Sequence, residues 1–111
     1  MTPRDFLARL GTPEHVFADT LAFIEAHYSY QPSGFRNGSV ENAADQNQGS
    51  CKVLAMALDL GLSDQQALHC FAEHYQAVLA DPEGSAHANI RALMAHGLAG
   101  VNFERPPLKR R

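Results

Sequence analysis

The chain has 111 residues, 45% of them hydrophobic and 19% charged, with a formal net charge of −3. That balance excludes an intrinsically disordered chain, and the length sets one domain of ordinary size. Two cysteines are too few for a disulfide framework, and no apolar run approaches the ~20 residues needed to cross a bilayer.

The charge is unevenly spread. Residues 1–104 carry five Lys/Arg against twelve Asp/Glu, a net −7, whereas residues 105–111 (RPPLKRR) carry four bases. An acidic body repels phosphate backbones, so nucleic acid is not an expected partner, and neither is a membrane. The domain is expected to span residues 1–104, with 105–111 a basic, disordered tail after two prolines. The opening MTPRDFLARL lacks the basic-then-apolar order of a secretory leader, which points to the reducing cytoplasm.

Helix signals then follow in chain order. Thr2-Pro3 places a cap before a proline at the first helical position, with Asp5 in the first turn and Gly11 as the stop. Thr12-Pro13-Glu14 repeats the start, after which Phe17, Leu21, Ile24 and Tyr28 fall on one face. Residues 29–49 break the pattern with Pro32, Gly34, Asn37-Gly38 and Gly49, and read as one long polar loop. Ser50 is expected to cap a central helix that Gly61 ends, with Val53, Leu54, Ala57 and Leu58 among its most buried residues. Ser63 and Gln66 form a capping box for a fourth helix carrying Leu68, Phe71, Tyr75 and Val78. Asp81-Pro82-Glu83-Gly84 is a turn, and Ser85 opens a fifth helix that runs to His96-Gly97. The expected fold is all-α, a compact bundle of about five helices with one long polar excursion.

Candidate chemistry gathers at two places. Cys51 lies in the first turn of the central helix beside Lys52, and both the helix dipole and that cation lower a thiol pKa. The same residue also reads as a small hydrophobe entering the core beside Val53. His87, at the head of the fifth helix, is a base for Cys51 if the two meet, with Asn89 or another amide orienting it, and it equally reads as a structural bridge to a carbonyl of the long loop. Six histidines are scattered without a His-x3-His pair, and no Cys-x2-Cys occurs, so neither a metal nor another cofactor is expected. Asn37, Asn42, Gln46, Asn47 and Gln48 concentrate amides in the long loop, suited to turns and equally to a polar pocket.

Several of these segments carry a family likeness. YQPSGFRNG at 30–38, NAADQNQGSCK at 42–52 and HANIR at 87–91 together resemble the HopJ type III effector family, across residues 6–103. The chain departs from that pattern at Gly97-Leu98, where a Gly-Trp pair is expected. The resemblance implies a bacterial protein delivered to a host cell by type III secretion, with no established biochemical activity. The matched polar residues are Asn37, Asn42, Asn47, Ser50, Cys51, Lys52, His87, Asn89 and Arg91. Type III export signals are flexible and Ser-rich, however, and this chain has no serine before Ser29.

The leading expectation is a small binding protein for a protein partner or a small anionic ligand. Asn37, Asn42, Asn47, Ser50, Lys52, Asn89 and Arg91 would line the site, Lys52 and Arg91 converging on an anion or on Glu41 or Asp45. The alternative is a small enzyme with Cys51 as nucleophile and His87 as base.

Overall fold

The computed structural model describes residues 1–111 and places one helix at the centre. This helix, α3 (Gln48–Leu60), ends where Gly61 takes a left-handed turn at φ 67°. Leu62 N–H then reaches back to Ala57 O at 2.9 Å, which closes the helix end and turns Leu62 into the core. Val53, Leu54, Met56 and Ala57 have no exposed surface. Leu58, expected among the most buried, is 43% exposed instead. It sits in the last turn, where the helix leaves the core; Met56 fills the interior.

Before α3 come α1 (Pro3–Arg9) and α2 (Phe17–His27). Thr2 Oγ1 accepts the Asp5 N–H at 3.1 Å, so the first cap forms as the sequence indicates. The second start moves from Thr12-Pro13 to Phe17. There a carboxylate from far along the chain takes over the capping: Glu73 Oε1 accepts the Phe17 N–H at 2.7 Å. Phe6 and Phe23 stack with ring centroids 4.2 Å apart, docking α1 on α2.

The fold is not all-α. Five strands form two small antiparallel sheets: β1 (Tyr28–Tyr30) with β5 (Leu108–Arg110), and β2 (Phe35–Asn37) between β3 (Val40–Asn42) and β4 (Val101–Phe103). The expected loop at 29–49 therefore contains a hairpin. Asn37 pairs with Val40, leaving Gly38-Ser39 as a two-residue turn, and Gly38 supplies the positive φ of 59° such turns require. Three-residue strands are too short to display a two-residue period, so hydrophobic patterning could not reveal them.

The basic terminus is ordered by the same means. Residues 105–111, expected to fray, carry β5, and Tyr28 OH and Arg110 Nε both donate to Asp59 Oδ2, at 2.6 and 2.8 Å.

The fourth helix is split into α4 (Asp64–His69) and α5 (Glu73–Ala80). The capping box at its start is present: Gln66 N–H donates to Ser63 Oγ and Ser63 N–H to Gln66 Oε1. The break follows from Thr20, whose hydroxyl donates to Cys70 O at 2.7 Å and occupies the carbonyl that a continuing helix would use. The chain turns through Ala72 at φ 49°, burying Cys70 and Phe71. Last comes α6 (Ala88–His96), packed against α4, α5, β2 and β3.

Candidate functional site

Four asparagines join the hairpin to the starts of α3 and α6. Asn37 and Asn42 lie on β2 and β3, and Asn89 lies in the first turn of α6; all three are buried. Asn42 Nδ2 donates to Asn89 Oδ1 at 3.2 Å, and Asn89 Nδ2 donates back to Asn42 Oδ1 at 3.0 Å. Asn37 Nδ2 donates to Asn89 O at 2.8 Å and Oδ1 at 3.1 Å. Asn47 Nδ2 adds a bond to Asn42 Oδ1 at 2.7 Å. A buried amide is costly unless bonded, so the reciprocal pairing fixes both the positions and the rotamers of these groups. One acceptor, Asn37 Oδ1, is left without a partner.

This lock sets two helix beginnings side by side. They open on a cleft of about 330 Å³ whose lining includes Phe17, Asn47, Ser50, Phe71, His74, His87 and Asn89. Each helix is entered through a left-handed residue, Asn47 at φ 50° and His87 at φ 57°, and neither has a side-chain cap. Such a conformation costs a non-glycine residue about 1–2 kcal/mol. Cys51 N–H is the first to join the α3 ladder, bonding Asn47 O at 3.0 Å. In α6, Ile90 N–H and Arg91 N–H both go to His87 O. The N–H groups of Gln48, Gly49, Ser50, Ala88 and Asn89 thus find no acceptor within the protein. Around them the wall is aromatic: the Phe17 ring meets His74 edge-on at 4.8 Å, and His74 faces His87 at 5.0 Å.

The remaining residues singled out from sequence fall elsewhere. Ser50 lines the cleft from inside the first turn, and Asn47, not Ser50, holds the cap position. Lys52 lies with Nζ 4.7 Å from the centroid of the Tyr30 ring. Arg91 donates to Ala86 O at 2.6 Å, Asp81 O at 3.0 Å and Pro82 O at 3.3 Å, fastening the turn between α5 and α6. The two cations do not converge on an anion. Glu41 pairs with Arg36, and Asp45 forms no ion pair. Expecting convergence treated both charges as free, whereas a π face holds one and backbone carbonyls hold the other.

Cys51 is 1% exposed, and its thiol donates to Ser33 O at 3.8 Å. Burial pushes its pKa up, against the smaller opposing effects of Tyr30, the Ser33 backbone and Lys52. Desolvation outweighs the cation and the helix start that pointed to a reactive thiolate. His87 makes no hydrogen bond to Cys51; its ring packs on His74 instead. The nucleophile–base pair of the alternative reading is not assembled. Sequence reasoning also passed over Phe17, Phe71 and His74 as cleft residues. Only the apolar spacing of the two phenylalanines was visible, and that equally describes a core.

Fold and cleft define a small mixed α/β domain with an open cleft at two adjoining helix starts. The chain belongs to the HopJ type III effector protein family, which it matches over residues 3–108. It is also similar to a solved structure, the crystal structure of the unknown function protein VPA0580. Identity is 38%, with 100% of this chain and 95% of that one covered, at a TM-score of 0.92. No curated protein matches the chain. No helix is long and apolar enough to cross a membrane. The segments that carry the family likeness, 42–52 and 87–91, contain Asn42, Asn47, Ser50, His87 and Asn89, from which the lock and the cleft are built.

Proposed function

We propose that this HopJ family member acts as a binding protein whose cleft between α3 and α6 takes a small anionic group. One observation carries the reading: two uncapped helix starts, each with unused N–H donors, open on the same cleft. The positive ends of two helix dipoles and several free donors suit a phosphate or carboxylate. His74, His87 and the Ser50 hydroxyl add further hydrogen-bonding groups to the wall. Lys52 and Arg91 take no part.

A thermal-shift series of inorganic phosphate, nucleotides and small carboxylates tests this. At ligand about ten times Kd, stabilisation of about 1.4 kcal/mol raises Tm by about 5 °C. Ser50→Asp places a carboxylate at the α3 start, so the variant should melt higher without ligand and lose the ligand shift. A wild-type protein that no anion stabilises contradicts the proposal.

Delivery to a host cell is a separate proposal, resting on the family alone. Residues 1–30 hold α1, α2 and the buried Phe6 and Phe23, so a reporter fused to them is expected to show weak or no apparatus-dependent export. Efficient translocation would restore those residues as a signal.

A further inference from the structure

The most basic stretch of the chain folds onto an acidic body and leaves part of its charge unused. Of the four bases in residues 105–111, Arg110 pairs with Asp59 at 2.8 Å and Arg111 Nε donates to Glu25 O at 2.9 Å. Arg105 and Lys109 form no ion pair, and both are exposed. They line a cleft of about 600 Å³ together with Tyr30, Pro106 and Pro107, and no carboxylate lines it. A third cation without a carboxylate partner, Lys52 Nζ, stands 4.7 Å from the centroid of the same tyrosine ring.

We propose that this cleft docks an extended acidic segment of a partner protein. Charge complementarity is the first argument, since two cations without carboxylate partners line a cleft free of acids on a chain that is otherwise net negative, with Lys52 against the Tyr30 ring nearby. Its backbone is the second. The β1–β5 sheet has only two strands, so each keeps one edge without a strand neighbour, where an extended chain can add hydrogen bonds. The ring of Tyr30 and the two prolines provide an apolar floor for side chains between the acids. A nucleic acid fits less well. It needs a long basic track, whereas residues 1–104 surround this short patch with a net charge of −7. The site is independent of the cleft between α3 and α6 and shares no lining residue with it.

The test is fluorescence anisotropy with the full chain and a fluorescein-labelled peptide alternating Asp and Val, beside its Asn-for-Asp counterpart. The Asp peptide is expected to bind saturably and more tightly than the Asn peptide. The double variant Arg105→Glu/Lys109→Glu should weaken it by about tenfold or more. Neither side chain makes a hydrogen bond within the fold, so the variant should melt as wild type does; Arg105→Gln/Lys109→Gln replaces it if it does not. Ser50→Asp should leave peptide binding unchanged. Absence of saturable binding, equal binding of the Asn peptide, or an unaffected double variant each overturns the proposal. Tighter binding of an oligothymidylate or of phosphatidylserine vesicles than of the Asp peptide also overturns it, by making the cleft a phosphate site.

Discussion

The side-chain amides of Asn42 and Asn89 exchange two hydrogen bonds, at 3.2 and 3.0 Å, between the edge of a hairpin and the first turn of the last helix. Removing one partner leaves several buried donors and acceptors without bonds. Asn89→Ala should therefore destabilise the fold by about 2–4 kcal/mol in urea unfolding. A loss below about 0.5 kcal/mol would mean that the lock does not hold the two helix starts together.

Leu54 and Leu58 lie one helical turn apart, yet one is wholly buried and the other is 43% exposed. Leu54→Ala should cost about 2–5 kcal/mol through lost burial and the cavity left behind, whereas Leu58→Ala should stay under about 1 kcal/mol. Similar losses in paired denaturant melts would place α3 differently from the structure described.

His15 gives the fold a dependence on pH. Its Nε2 lies 2.7 Å from Thr20 Oγ1, and that hydroxyl already donates its proton to Cys70 O. His15 Nε2 must therefore be the donor, which leaves Nδ1 unprotonated, buried and without a partner. Burial lowers the pKa of His15 below 6.5, against a partial opposing pull from Asp19. Because the folded pKa is depressed, the unfolded chain takes up the proton first. Stability is full above pH 6.5 and declines as pH falls from there toward the folded value. Unfolding free energies measured from pH 8 to 5 should show this slope, and His15→Gln should flatten it. A slope unchanged by the substitution would assign it to other groups.

Both cysteines are buried, Cys51 at 1% and Cys70 at 0% exposure, and burial pushes the Cys70 thiol up to about 12. A thiol reagent such as dithionitrobenzoate should label the native protein only as fast as it opens, with both thiols reacting promptly in denaturant. Rapid stoichiometric labelling of Cys51 under native conditions would revive the nucleophile reading.

What could be read in the sequence was local chemistry. Thr2, the Ser63–Gln66 box and Gly61 act as their residue types dictate, because each makes its bond within a few positions. Distant contacts were not legible. Thr20 splits the fourth helix by taking the Cys70 carbonyl from fifty residues away. Arg91 binds the carbonyls of residues 81, 82 and 86, and α6 begins at Ala88 instead of Ser85. The asparagines of 37–47 were visible as a cluster, and the family likeness set Asn89 beside them. Their mutual hydrogen bonds depended on a hairpin made of three-residue strands, which gives no periodic signal.

A 15N–1H correlation titration with inorganic phosphate tests the central claim most directly, because the unused amides are themselves the reporters. Saturable shifts are expected at Gln48, Gly49, Ser50, Ala88 and Asn89, and they should vanish in Ser50→Asp. Shifts that never saturate, or that gather at Arg105 and Lys109 while these five amides stay still, would contradict an anion site between α3 and α6.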